Sequence, residues 1–181
     1  MPLNTEFNQL VSNEILERAK VGDEAAFKAI YEQYSGIGYG IALRMVKHHE
    51  LAQDVLQDAF INVFRHIKQY QGEQVFVAWL KRIVINQAIN KLKVQNKFNC
   101  ELPEEDIIET TSLFNENWLS AVRDINSLLM RVNDEYRTVF ILHEIEGYKH
   151  KEIAELLDKS VSYSKVVLMR CYQQLKVLAE Q

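Results

Sequence analysis

Cysteine and proline each occur only twice in this chain of 181 residues, and glycine six times. Cys100 and Cys171 stand far apart with no Cys-x-x-Cys pair, which excludes a disulfide framework and a cysteine zinc site. Lone thiols of this kind fit a reducing compartment, the cytoplasm. With so few prolines and glycines, helices can run long almost anywhere. Period-two alternation of β-branched residues is missing, so no sheet is expected. An apolar N-terminal run like a signal peptide and an apolar stretch of about 18 residues able to cross a bilayer are missing as well. Nor is there a glycine-rich phosphate loop, a His-Glu-x-x-His motif or an internal repeat. His48 and His49 are neighbours, which on a helix sets them about 100° apart and makes a poor metal pair. His143 and His150 flank Gly147 with no further ligands. The expectation is therefore no metal, no cofactor, no small-molecule substrate and no catalytic residues.

What the chain does have is a 48% hydrophobic content, enough for real cores, and a net charge of −4. A DNA-binding protein that works alone is more often basic. If this one meets DNA, a larger assembly should supply most of the phosphate contacts.

The segment KHKEIAELLDKSVSYSKVVL, residues 149–168, has the layout of a helix-turn-helix. A first helix is expected over 149–157, a turn over 158–160 and a second helix from near Ser162. Ile153 and Leu157 share a face, and Ala154 is small where the helices would cross. Asp158 occupies the turn position often held by glycine and tolerates left-handed backbone. Ser160 or Ser162 can cap the second helix. On that helix Ser164, Leu168, Cys171, Leu175 and Leu178 form an inward stripe, while Tyr163, Val166, Arg170 and Gln173 point elsewhere. No acid appears from Lys159 to Ala179, and Lys159, Lys165, Arg170 and Lys176 are basic. The plainer alternative is a helical hairpin with a solvated basic face.

Upstream, an acidic run (Glu101, Glu104, Glu105, Asp106, Glu109) beside Pro103 marks a linker over 94–117; one compact domain with a long acidic loop is the alternative. Before it, four or five helices are expected. Asp23 can cap one carrying Phe27, Ile30, Tyr31 and Tyr34, and 39–46 reads as another. Glu50 opens a third, striped by Leu56, Phe60, Val63, Phe64 and Ile67. After a turn at Gly72 comes a long helix over 76–93. After the linker, helices are expected over 118–132 and 134–146, the latter stopped by Gly147. The fold is thus all-α, with two small helical domains at 1–93 and 118–181.

The helix after Gly72 is basic, with Lys81, Arg82, Lys91, Lys93 and Lys97 and no acid between Gln74 and Cys100. Tyr70, Phe76 and Trp79 accompany those cations, as do Asn86, Gln87 and Asn90. Rings among cations suit single-stranded nucleic acid, whose bases stack while its phosphates pair, and asparagine can bond base edges. Trp79 could equally be a core residue. The helix before carries Glu50, Asp54 and Asp58 on one face with Gln53 and Gln57 beside them. That is either a solvated face or a dock for a basic protein surface.

Taken together, Leu51–Lys93 followed by a linker and then EYRTVFILHEIEGYKHKEIAELLDKS resembles the bacterial extracytoplasmic-function sigma factors, the small two-domain members of the sigma-70 family. The resemblance implies a transcription initiation factor with bacterial core RNA polymerase and promoter DNA as partners. Asp54, Val55, Gln57, Asp58 and Phe60 would dock on the β′ clamp. Tyr70, Phe76, Trp79, Arg82, Asn86, Asn90 and Lys93 would recognise the −10 element and help open it. Ser162, Tyr163, Lys165, Val166, Met169 and Arg170 would read the −35 element, in a domain that also touches the β flap. The linker would run through the polymerase channel, and an anti-sigma protein would hold the factor inactive. The chain departs from the family at Val167 and Tyr172, where arginines are common, at Lys159, which replaces an apolar turn residue, and at Asn90 and Lys93, where aspartate and arginine are frequent. A weaker −35 phosphate grip is implied. Two other functions compete: a stand-alone helix-turn-helix regulator with an N-terminal sensor or dimerisation domain, and a helical enzyme. The acidic charge and the basic aromatic helix argue against the first, and the missing motifs against the second.

Overall fold

The computed structural model describes residues 11–72, 75–95 and 125–180, and all regular structure among them is helical. Most of the expected linker, the start of the helix expected at 118–132, and Lys97 and Cys100 lie outside the described residues. The chain divides into two compact units, Met1–Leu43 with His48–Ala88 and Arg44–Lys47 with Ile89–Gln181.

In the first unit, α1 (Asn13–Lys20) starts where the Ser12 hydroxyl accepts the Ile15 N–H at 3.3 Å. Gly22, at φ +92°, turns the chain into α2 (Glu24–Val46). Asp23 caps α2 as expected, its Oδ1 accepting the N–H groups of Ala25 at 2.8 Å and Ala26 at 3.2 Å. Its other oxygen meets Arg18 at 2.7 Å, and that bond together with the backbone N–H groups lowers the Asp23 pKa.

A separate helix expected at 39–46 does not exist: α2 is continuous over 23 residues, through Gly36, Gly38 and Gly40. Tertiary packing overrides glycine's low helix propensity here. A Cβ on Gly38 would lie 2.8 Å from Leu56 Cδ1 and 3.4 Å from Val84 Cγ2, so the missing side chain is what lets α2 approach its neighbours.

These neighbours are α3 (His49–His66), which continues into a 3₁₀ turn at Ile67–Gln69, and α4 (Phe76–Val94). Ile30, Ile41, Ala52, Ala59, Val63, Leu80, Val84 and Ile85 are each no more than 1% exposed and form the core. Burying each large aliphatic side chain contributes about 2 kcal/mol. Phe27 stacks on Phe64 at 4.5 Å between ring centres.

The second unit contains α5 (Ile125–Arg131), α6 (Asp134–Phe140), α7 (His150–Leu157) and α8 (Val161–Ala179), with α8 packed against the other three. Asn133 caps α6 through Glu135 N–H at 2.9 Å. The helix expected over 134–146 is present, but its last stretch, Ile141–Ile145, widens into a π turn in which Glu146 N–H bonds Ile141 O at 3.0 Å. Gly147, at φ +76°, ends it as expected. Val132, Val139, Phe140, Leu142, Ile153, Val167, Cys171 and Leu175 form the core of this unit.

Arg137 is fully buried within this unit. It meets Asp134 at 2.7 Å and donates to the carbonyls of Arg44 at 2.9 Å, Val132 at 3.1 Å and Met45 at 2.7 Å. A guanidinium with this many acceptors is a satisfied buried charge.

Candidate nucleic-acid interface

At 100° per residue, Trp79, Arg82, Asn86, Asn90 and Lys93 fall within an arc of about 80° on α4. Arg82, Asn90 and Lys93 are exposed, and Trp79 and Asn86 are half-buried, so the stripe reaches the surface along its length. Phe76 and Tyr70, at 3% and 9% exposure, lie beneath it. The Trp79 ring centre is 5.6 Å from that of Phe76 and 5.5 Å from that of Tyr70, while Tyr34 stands 5.5 Å from Phe76 on the inner side. Two buried rings, Tyr70 and Phe76, therefore pack against the indole and leave part of it open to a ligand. Only Trp79 of this aromatic group offers a face, and the other two support it.

On α3 Glu50, Gln53, Asp54, Gln57 and Asp58 are exposed and share one acidic and amide face, which Arg65 joins near the end of the helix. Val55 and Phe60, grouped with them in the sequence, are inside at 1% and 3% exposure. Sequence reasoning missed Ile61, which is 45% exposed; Tyr31, which it grouped with Phe27, Ile30 and Tyr34, is 44% exposed. Tyr31 lies edge-on to Phe60 at 4.8 Å. Ile61 shares its helix face with Asp54, Gln57 and Asp58, and that phase was the available signal.

The helix-turn-helix forms as the spacing predicts. Asp158 adopts φ 58°, ψ 49°, and its N–H and that of Lys159 close the end of α7 onto Glu155 and Ala154 carbonyls. Ser160 is the cap of α8, accepting the Tyr163 N–H at 3.0 Å. Glu152 accepts the Lys149 N–H at 2.8 Å at the start of α7. Ser164, Leu168, Cys171 and Leu175 face inward as expected. Tyr163 does too, contrary to expectation: it is 7% exposed, with Lys159 Nζ 5.3 Å from its ring centre. At that distance the ammonium is attracted to the face of the ring. Val167 is fully buried and Tyr172 packs edge-on to Phe140 at 5.6 Å. The missing cation at Val167 thus belongs to a core position in this chain.

Opposite the buried stripe, Ser162, Val166, Met169 and Gln173 fall within about 60° of α8, with Lys165 and Arg170 on either side. Behind this face His150 Nδ1 and Ser164 Oγ are hydrogen-bonded at 2.9 Å, and the His150 ring stacks on His143 at 4.4 Å. Burial, then the His143 and Lys165 charges, lower the His150 pKa. Burial pushes the Cys171 thiol up to about 12, and burial plus a hydrogen bond to Glu144 raises the Tyr172 phenol. No group of three or more metal-ligating side chains exists among the described residues, and none of their helices is long and apolar enough to cross a membrane.

Residues 30–98 match the family model "Sigma-70 region 2" and residues 123–175 match "Sigma-70, region 4", together well over half of the chain. The chain is a sigma-70 family sigma factor. It is similar to the ECF RNA polymerase sigma-E factor of Haemophilus influenzae, with 27% identity covering 93% of this chain and 95% of that one. The Escherichia coli K12 ECF RNA polymerase sigma-E factor is 25% identical over 92% and 93% of the two chains. The sigma factor RpoE of Bartonella quintana, solved with the anti-sigma factor NepR, shares the fold at a TM-score of 0.53 and 17% identity, covering 85% of this chain and 96% of that one. The sigma factor is thus an ECF-type transcription initiation factor that binds core RNA polymerase and promoter DNA. It is not itself an enzyme. The α4 stripe lies in its region 2 and the helix-turn-helix in its region 4.

Proposed function

We propose that the sigma factor divides promoter recognition between two helix faces and polymerase docking onto a third. The α4 stripe captures bases of the −10 element: Trp79 stacks on one, Arg82 and Lys93 pair with phosphates, and Asn86 and Asn90 bond base edges. Tyr70 and Phe76 act as its support. The α8 face reads the −35 element through Ser162, Lys165, Val166, Met169 and Arg170, with Tyr163 bracing the helix from inside. Asp54, Gln57 and Asp58 dock on the β′ clamp, over a core that includes Val55 and Phe60, and the region 4 domain touches the β flap. The domains are those at 1–93 and 118–181, and the 94–117 linker enters the polymerase channel. The factor works in the cytoplasm, under an anti-sigma protein like the one bound to the Bartonella quintana factor.

The observation that carries this reading is the half-exposed Trp79 on a single-faced stripe of cations and amides, braced by buried rings. Run-off transcription with core polymerase on a genomic fragment library, with start sites mapped, tests it. Trp79→Ala should leave core binding intact and abolish permanganate-detectable opening at −10, whereas Asp54→Ala should weaken core binding itself. Equal opening by Trp79→Ala and the parent would refute the division.

A further inference from the structure

On the outward face of α8 the charge and the apolar surface are separated. Lys165 lies on one side of the central strip and Arg170 on the other, separated by about 140° around the helix. Between them, within about 60°, lie Ser162, Val166 and Met169. Ser162 is exposed, and Val166 and Met169 are half-buried, each presenting part of its side chain outward. Val161, 42% exposed, adds apolar surface at the first residue of the helix. Gln173 is the amide on this face, but it lies about 10 Å along the helix from Val166, beyond the N-terminal turns that meet base edges, and no asparagine, glutamine or arginine occupies the first two turns to make the bidentate contacts that usually identify adenine or guanine. The two cations are placed to meet phosphates on either side of a groove. In those N-terminal turns the strip between them offers a base a hydroxyl and hydrocarbon.

The major groove displays one hydrocarbon feature, the C5 methyl of thymine. We propose that this sigma factor reads its −35 element by thymine methyls, with Val166 and Met169 as the specificity residues and Lys165 and Arg170 as phosphate clamps. The inference rests on the helix-turn-helix being the −35 reader. It goes further in naming the base feature recognised and the two side chains that recognise it. Burying one methyl in such a contact is worth about fourfold in affinity.

The test uses the holoenzyme reconstituted from full-length sigma factor and core polymerase, on one of its own promoters. Each −35 thymine is replaced singly by deoxyuridine, which removes the methyl and leaves every hydrogen-bonding group. At one or more positions affinity should fall about fourfold. In the holoenzyme carrying Val166→Ala or Met169→Ala, the matching substitution should no longer matter, whereas Arg170→Ala should weaken both DNAs alike. A −35 element without thymine on either strand, indifference of the parent to deoxyuridine at every position, or full methyl sensitivity in both alanine variants would overturn the proposal. Those results would leave promoter reading by this helix standing. A holoenzyme that binds no promoter would instead remove the −35 reading, and the inference with it.

Discussion

Two side chains of the second unit show how much a single residue can decide. Arg137 is a charge with no access to water, held by Asp134 and three backbone carbonyls. Removing one partner of such a cluster leaves the others unsatisfied, so Arg137→Leu should destabilise the folded chain by about 3 kcal/mol, read as a shift in urea midpoint. His150 gives a pH dependence instead. Folding lowers its pKa below the ordinary imidazole value, through burial first and then the charges of His143 and Lys165, partly opposed by Glu144. As pH falls through about 6.5 the unfolded chain takes up the proton while the folded chain resists it. Stability is therefore full above that range and lost as pH falls through it, until the folded histidine also protonates. Urea titrations of the full chain between neutral pH and about pH 5 should show this loss, and His150→Gln should reduce the slope. Neither residue's burial could be read from sequence. Nothing local distinguishes the arginine of Glu-Tyr-Arg-Thr from a solvated one, because its acceptors include carbonyls some ninety positions away, at Arg44 and Met45.

At the scale of elements, α2 separates propensity from packing. Gly36 and Gly40 have open space where a Cβ would go, whereas Gly38 has Leu56 and Val84 against it. Gly36→Ala and Gly40→Ala should each raise stability by about 0.5–1 kcal/mol. Gly38→Ala gains the same propensity but must displace Leu56, and should fail to share the increase; thermal unfolding of the three variants compares them directly. The same contrast explains what was legible beforehand. Helix starts and stops were, because Asp23, Ser160, Asp158 and Gly147 act on their immediate neighbours. The continuity of α2 was not, because it depends on a neighbour brought close by the tertiary fold. The π turn at Ile141–Ile145 and the inward Tyr163 escaped for the same reason. For the candidate sites, the family resemblance named Trp79, Arg82, Asn86, Asn90 and Lys93 together with Tyr70 and Phe76, but it could not separate the surface ring from the two beneath it.

For the whole molecule, the net charge of −4 sets the terms of DNA binding. A chain whose net charge is negative despite its basic reading helices gains little overall from phosphate neutralisation, so affinity should come from the polymerase and selectivity from the sigma factor. The free chain should bind promoter duplex far more weakly than the holoenzyme at equal salt. Lys165→Ala and Arg170→Ala should each reduce the slope of log affinity against log salt by about one unit, measured on the holoenzyme. Slopes unchanged in both variants would mean that neither cation meets a phosphate.

The braced indole on α4 also equips the chain with an optical reporter. Trp79 and Trp118 are its two tryptophans. In a Trp118→Phe background the ultraviolet emission would come from Trp79 alone, half open to solvent and packed on Tyr70 and Phe76. A nucleobase stacking on that ring would quench it. Stopped-flow emission on mixing holoenzyme with promoter, taken as the difference from a holoenzyme that also carries Trp79→Phe and so keeps only the core polymerase's tryptophans, should then time the capture of a flipped base, with no dye attached to either molecule.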